Sequence, residues 1–385
     1  MTVSRKAALL ALAAVIAVWT WQFLTVRYNY GGNWTALFLI RPGMPVPEFL
    51  KSEKLYIFQN SAGYDGQVYH LIAHDPWMRK GSREAIAGAS FRYQRILVPA
   101  LAWALALGHD AWVDRAYYAV ILAFLFAGVY WMALLAARAG WNQAWGLAFL
   151  LLPATLVSID RMTADIALAA FVAGFALYAG KVHAGWVALL LACAALTRET
   201  ALPVIAGYTG YLLTRREIRN AILIACSALP AIGWFIYLNR MERSPVASFG
   251  GWIPLAGFIE RVAHPAVYAL SGFKGASAQA FDYLALAGIA LALALAACAA
   301  VRREWSSITS AMYAMALAAV FLHDRSVWVD VYAFGRVLTP LLLLAAMVYW
   351  RKNRWLALAP VFLVDSRVAL NFAAQLQGVA RALLK

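Results

Sequence analysis

Long apolar stretches recur along the whole chain, separated by short polar turns. The pattern predicts spanning helices near 7–26, 116–138, 142–157, 163–180, 184–197, 200–214, 218–238, 280–301, 306–322, 336–350 and 355–365. Several fall short of the ~20 residues that an upright span requires. An outer-membrane barrel would instead alternate apolar and polar positions over ~10-residue segments, and no such segments are visible. The expected fold is an all-α polytopic membrane protein with about 11 transmembrane helices, in one domain covering 1–385.

One apolar stretch, "RILVPALAWALALG" at 95–108, is assigned no span. It is short and carries a proline, which suits an interfacial or re-entrant helix. Charge tests that choice. With the N-terminus inside, the turns on the cytoplasmic side hold Arg5, Lys6, Arg138, Lys181, Arg215, Arg216, Arg219, Arg302, Arg303, Arg351, Lys352 and Arg354, against only Glu217 and Glu304. Every such turn is basic, as the positive-inside rule requires. A span at 95–108 would turn the clusters at 215–219 and 351–354 outward. Two outer segments are then long, 27–114 and 239–279, and loops of that size are usually functional. The C-terminal stretch 366–385 reads as an amphipathic tail.

Composition agrees with this reading. The chain is 64% hydrophobic, 13% charged and holds 16 Trp, with a mean hydropathy of +0.68, far outside the soluble range. Cys193, Cys226 and Cys298 lie inside apolar runs and form neither a disulfide framework nor a zinc spacing. The start "MTVSRKAALLALAAVIAVWTWQF" lacks a small-residue cleavage site and is read as an uncleaved first helix. The net charge of +15 would suggest nucleic acid in a soluble protein. Here the positive-inside turns absorb much of it, so no nucleic-acid partner is expected.

The acids follow the opposite rule, because 16 of the 18 (all but Glu217 and Glu304) fall on the outer side. In "SAGYDGQVYHLIAHDP" (61–76), Asp65 sits in a Gly-Tyr-Asp-Gly turn before apolar residues at helical spacing. Both an N-cap and a surface general base suit it. Gln67 and Tyr69 follow on the same segment. His70 and His74 have the i, i+4 spacing of a metal pair, but Asp75-Pro76 reads as a helix stop and interface histidines are often half-wet. No metal is assigned there. "SIDRMTADIALAAF" (158–171) carries Asp160, Arg161 and Asp165 against apolar sequence, which is costly unless they pair or bind something. "LTRETALP" (196–203) carries Arg198 and Glu199. "FLHDRSVWVDVYAFGRVLTP" (321–340) carries His323, Asp324 and Arg336. Capping and local pairing account for each cluster alone. Together they bring arginines suited to phosphate and carboxylates suited to hydroxyls onto one membrane face.

At these residues the chain resembles the GT-C class of membrane glycosyltransferases, over roughly 7–350. "GYDGQVYHLIAHDP" is similar to the Trp-Asp-x-x-x-Tyr-x-x-Ile-Ala pattern of its mannosyltransferase branch, with Tyr64 replacing Trp. "TADIALAAF" resembles the second acidic motif, "LTRET" the Leu-Thr-Lys-Gly turn, and "GRVLTPLLLL" the Arg-Tyr-x-x-Pro helix start. More narrowly, "YDGQVYHLIAHDP" with "FRYQRILVPALAWALALG" looks like a bacterial group of GT-C-type proteins. The resemblance implies a periplasmic active site on the bacterial inner (cytoplasmic) membrane, with the N-terminus cytoplasmic. The implied donor is a polyprenyl-phosphate-linked sugar, and the acceptor a hydroxyl on a glycan, lipid or protein. Asp65 takes the place of the catalytic acid, acting as base in an inverting displacement. Asp165 would steer the acceptor or a divalent cation (Mg or Mn). Arg198 and Arg336, with Arg95, would face the leaving phosphate. Two other readings remain open: a lipid-linked-sugar flippase or other transporter, and a polysaccharide polymerase or ligase of another membrane fold.

Overall fold

The computed structural model describes residues 2–241, 250–268 and 272–384. Every named element among them is a helix, and extended pairing is limited to two isolated bridges, Ile40 with Ile57 and Gly250 with Leu322. Four helices are long and apolar enough to cross a membrane: α1 Val3–Asn29, α4 Asp110–Arg138, α9 Ile218–Met241 and α10 Gly272–Val301. Three bent pairs raise the number to seven if each is one span. This is a helical, multi-pass membrane protein, with lipid-facing rows such as Leu9, Leu12, Ile16 and Phe23 on α1 left exposed. Shorter apolar helices lie between the long ones.

Between α1 and α4, the segment 30–109 folds into short pieces around α2 Asp65–His74 and α3 Leu97–Leu105. The stretch expected to be interfacial is thus a nine-residue helix, far below spanning length. It packs against α2 and α4. The single helix expected near 142–157 is instead two. A 3₁₀ segment, Gln143–Leu151, meets α5 Pro153–Arg161 at 61°. The cause is Pro153, which occupies the first position of α5 and pushes Leu152 into an extended conformation (ψ 134°).

α6 Asp165–Tyr178 is the innermost helix, buried at every residue from Asp165 to Leu177. A helix that is apolar on all sides belongs at the centre, and α6 is enclosed by α4, α7 Ala184–Thr197 and α13 Thr339–Tyr349. α8 Leu202–Thr214 lies against α11 Ser307–Val320 so closely that a Cβ on Gly207 would sit 2.8 Å from the Ala311 Cα. α12 Val331–Val337 bends by 54° into α13. α14 Arg354–Ala369 packs on α10. The expected amphipathic tail contains α15 Asn371–Leu383, which folds back on α1, where Asn29 Nδ2 donates to the Gln375 carbonyl at 3.1 Å. The segment 239–279, expected to be an outer loop, lies partly outside the described residues. Its described part includes a short helix, Ala256–Ala263.

Candidate functional site

Asp65 is the first residue of α2, and Tyr64 is the N-cap. The Asp65 carboxylate therefore does not cap its own helix, as one of the sequence readings had it. It turns to three arginines instead. Arg92 Nη1 bonds Oδ1, Arg336 Nη2 bonds Oδ2, and Arg95 Nη1 lies 3.8 Å from Oδ2. Gly66 lets the start of α2 pack against two backbone carbonyls. A Cβ there would meet the Arg161 carbonyl oxygen and come within 2.9 Å of the Phe38 carbonyl oxygen, so α2 begins where only a glycine fits.

Asp165 enters from the opposite side, at the first turn of α6. Its Oδ1 accepts from Arg198 Nη1 and its Oδ2 from Arg336 Nη1 at 3.1 Å. Arg336 thus bridges Asp65 and Asp165 with one guanidinium fork, a geometry lysine does not reproduce. Arg95 is held bidentately by Glu199, Nη2 to Oε1 at 2.8 Å and Nε to Oε2 at 3.2 Å. Arg198 Nε lies 3.8 Å from Glu199 Oε1.

Four guanidiniums (Arg92, Arg95, Arg198, Arg336) face three carboxylates (Asp65, Asp165, Glu199), which leaves one net positive charge. Burial would raise the Asp65 carboxyl, but Arg336, Arg92 and Arg95 outweigh it and hold it well below the usual carboxylate range. Burial likewise opposes ionisation of Glu199, while Arg95 and Arg198 bring it down to about 2. Nε of Arg198 and Nε of Arg336 are buried without a hydrogen-bond partner. Native interiors rarely leave such donors unmet.

A cavity of about 310 Å³ reaches this cluster. Arg95, Arg198 and Glu199 line one part of it. Pro203 of α8, Ala318 of α11, Phe321, Leu322, Val327 and Val337 of α12 supply apolar walls.

Asp160 and Arg161 form a neighbouring group. Asp160 accepts from Arg161, from Asn371 at 2.6 Å and from Gln375 at 2.5 Å, which ties α5 to α15. The Arg161 guanidinium stacks 4.6 Å from the Tyr64 ring, and Arg336 lies 4.9 Å from that same ring. Tyr64 thus separates two cations and couples the groups.

Other sequence candidates lie elsewhere. Gln67 Oε1 accepts from the Arg41 N–H at 3.1 Å and fixes the preceding loop. Tyr69 is buried (1% exposed), and its hydroxyl has no hydrogen-bond partner. His323 is exposed and shares a separate surface pocket with Glu260, His264 and Arg325. Asp324 caps a one-turn helix through the Ser326 N–H.

Arg92 was not singled out from sequence. The only signal was its position one helical turn before Arg95.

A second titratable cluster lies at the other end of α2. His70 and His74 face Asp114 of α4 and Glu53 of the segment between α1 and α2, with one ligand-type atom from each within 4.8 Å of the others. Burial and the neighbouring Asp114 push the Glu53 carboxyl up to about 8. The histidine spacing was legible in the sequence, but Glu53 and Asp114 were not. The signal for the latter was Asp110 and Asp114, four apart at the start of the second long helix.

Comparison with known proteins returns no match: no family model, curated protein or solved structure is similar to this chain.

Proposed function

We propose that the protein is a GT-C-type membrane glycosyltransferase. It would move a sugar from a polyprenyl-phosphate donor to an acceptor hydroxyl at the outer face of the bacterial inner membrane. The observation that carries this reading is the largely apolar cavity ending on Arg95 and Arg198, one residue contact away from Asp65. An apolar approach ending in arginines matches a phosphate on a lipid chain. The surplus positive charge and the unmet Nε donors of Arg198 and Arg336 suit the same anion.

In this mechanism the donor phosphate competes with the carboxylates for the guanidiniums. As Arg336 and Arg95 turn to phosphate, Asp65 loses the charges that suppress its basicity and becomes a competent proton acceptor. The acceptor oxygen attacks the anomeric carbon from the face opposite the phosphate, and its proton passes to Asp65. The bond from the anomeric carbon to the phosphate oxygen breaks, and that oxygen keeps the electron pair. Arg198 and Arg336 stabilise the charge that develops on it. Inversion follows from the single displacement. Asp165 holds Arg198 and Arg336 in place until substrate arrives, and then steers the acceptor.

The test is release of free polyprenyl phosphate from a panel of polyprenyl-phosphate sugars and acceptors, with purified wild type and Asp65→Asn. The expected result is turnover in wild type that falls at least ~10²-fold in the variant while lipid binding persists. Equal turnover in both removes Asp65 from the mechanism. Binding without release, together with leaflet-to-leaflet movement of the lipid in liposomes, would replace this reading with a transporter.

A further inference from the structure

We propose that Glu53, His70, His74 and Asp114 bind one zinc-class divalent cation, at a site separate from the arginine–carboxylate cluster. Nε2 of His70 lies 3.0 Å from Asp114 Oδ1 and 3.6 Å from Glu53 Oε2, and Nε2 of His74 lies 3.3 Å from Asp114 Oδ1. Tetrahedral zinc bonded at about 2.0–2.1 Å sets its ligand atoms about 3.3 Å apart. These three spacings bracket that value, and the four ligand-type atoms all lie within 4.8 Å of one another. Two imidazoles and two carboxylates also form a donor set that zinc accepts and magnesium does not favour.

The unmet atoms point the same way. His70 is fully buried (0% exposed), yet neither ring nitrogen has an in-line hydrogen-bond partner, and Glu53 Oε2 is likewise buried and unmet. Without an ion, the 3.0 Å approach of His70 to Asp114 leaves both ring nitrogens without an aligned partner.

The outer shell is present as well. His74 Nδ1 lies 3.1 Å from Asp110 Oδ1, and Lys80 Nζ holds Asp110 at 2.8 Å. A carboxylate on the remote nitrogen is the usual support of a metal-bound histidine. A cavity of about 570 Å³, lined by Asn33, Thr35, Glu53, Lys54, Asp114 and Arg115 among others, opens on the carboxylate side and provides the entry path.

Four protein ligands close the coordination sphere, so the ion is structural. It ties the outer segment and α2 to the start of α4. Asp65 lies five to nine residues upstream on the same helix, roughly 8–13 Å along its axis. The metal would therefore fix the helix that carries Asp65 without touching the reacting atoms.

The test uses full-length protein purified with a histidine-free tag, stripped with a chelator, then titrated with Zn²⁺ or Co²⁺. Elemental analysis is expected to find one zinc per chain, undisplaced by excess Mg²⁺. Co²⁺ is expected to give the intense visible bands of a four-coordinate site. His74→Gln and Glu53→Gln should each weaken zinc binding more than ~100-fold, and Asp110→Asn by ~10–100-fold. Asp65→Asn should retain full zinc, which separates this site from the proposed transfer chemistry. Wild type that holds far less than one zinc, or Co²⁺ that shows only the weak spectrum of a six-coordinate ion, overturns the proposal. Full zinc retention in His74→Gln also overturns it. If His74→Gln fails to fold, the wild-type Co²⁺ spectrum and Asp110→Asn decide the question.

Discussion

Arg336→Gln is the perturbation that most directly probes the buried charge network. It removes two ion pairs at once, to Asp65 and to Asp165, whose side chains are 13% and 0% exposed. Deleting one partner of a buried pair costs about 3–5 kcal/mol, because a charge is left uncompensated. Here both acids keep other partners: Arg92 and Arg95 for Asp65, Arg198 for Asp165. The lower end of that range, about 3 kcal/mol, is therefore expected. In a chain of this size that is about 6 °C of melting temperature, from roughly 2 °C per kcal/mol. The assay is thermal unfolding in lipid nanodiscs, with Arg336→Lys alongside. Lysine keeps the charge but not the fork, so it should fall between wild type and Arg336→Gln. Arg325→Gln is the control. Its pair with Glu260 sits on the surface with Arg325 84% exposed, and such pairs contribute little. In an Asp65→Asn/Arg336→Gln cycle the double variant should be milder than the sum, by about 1 kcal/mol or more. An Arg336→Gln protein melting within about 1 °C of wild type, with additive effects in the cycle, would refute the bridging role.

Three further outcomes are expected. Gly66→Ala should destabilise by about 1–3 kcal/mol, since a Cβ collides with the Arg161 carbonyl; unfolding of the variant in the same nanodiscs measures it. Asp365→Leu should raise the melting temperature, because this α14 carboxyl is 5% exposed and neither oxygen has a hydrogen-bond partner; a lower value would mean that a ligand or ion satisfies it. The stability contributed by the arginine-held carboxylates should be lost below about pH 4.5. Asp65 and Glu199 titrate below their unfolded values, so their contribution is present above those values and is lost as pH drops through the folded ones. For Glu199, held at about 2 from 4.5, the loss is about 3 kcal/mol, read as the melting temperature across a pH series.

The helical class and the multi-pass membrane character were legible in the chain, because both depend on local quantities. Apolar run length sets which segments can sit in lipid, and 95–108 is too short to span, its helix stopping where Leu107 and Gly108 take positive φ. The choice of Asp65, Asp165, Arg198 and Arg336 as candidates also came from local incongruity, since charge interrupting apolar sequence is costly unless paired. Partnership is not local. Arg336 and Asp65 are 271 residues apart, and Arg336 and Asp165 are 171 apart. No periodicity states that these pairs meet, that Arg92 joins them, or that His323 and Asp324 stand aside. The same holds for His70 and His74, whose spacing is read from the helix repeat, while Glu53 and Asp114 reach them only once α2 packs on α4. The break between Leu152 and Pro153 had a local signal, the proline, which the expected single helix at 142–157 ran through, and its 61° angle depends on how α5 packs. Local pattern decides which segments are helical and apolar. Only packing decides which charges share a site, because Coulombic and ligand contacts act over a few ångströms of space regardless of separation along the chain.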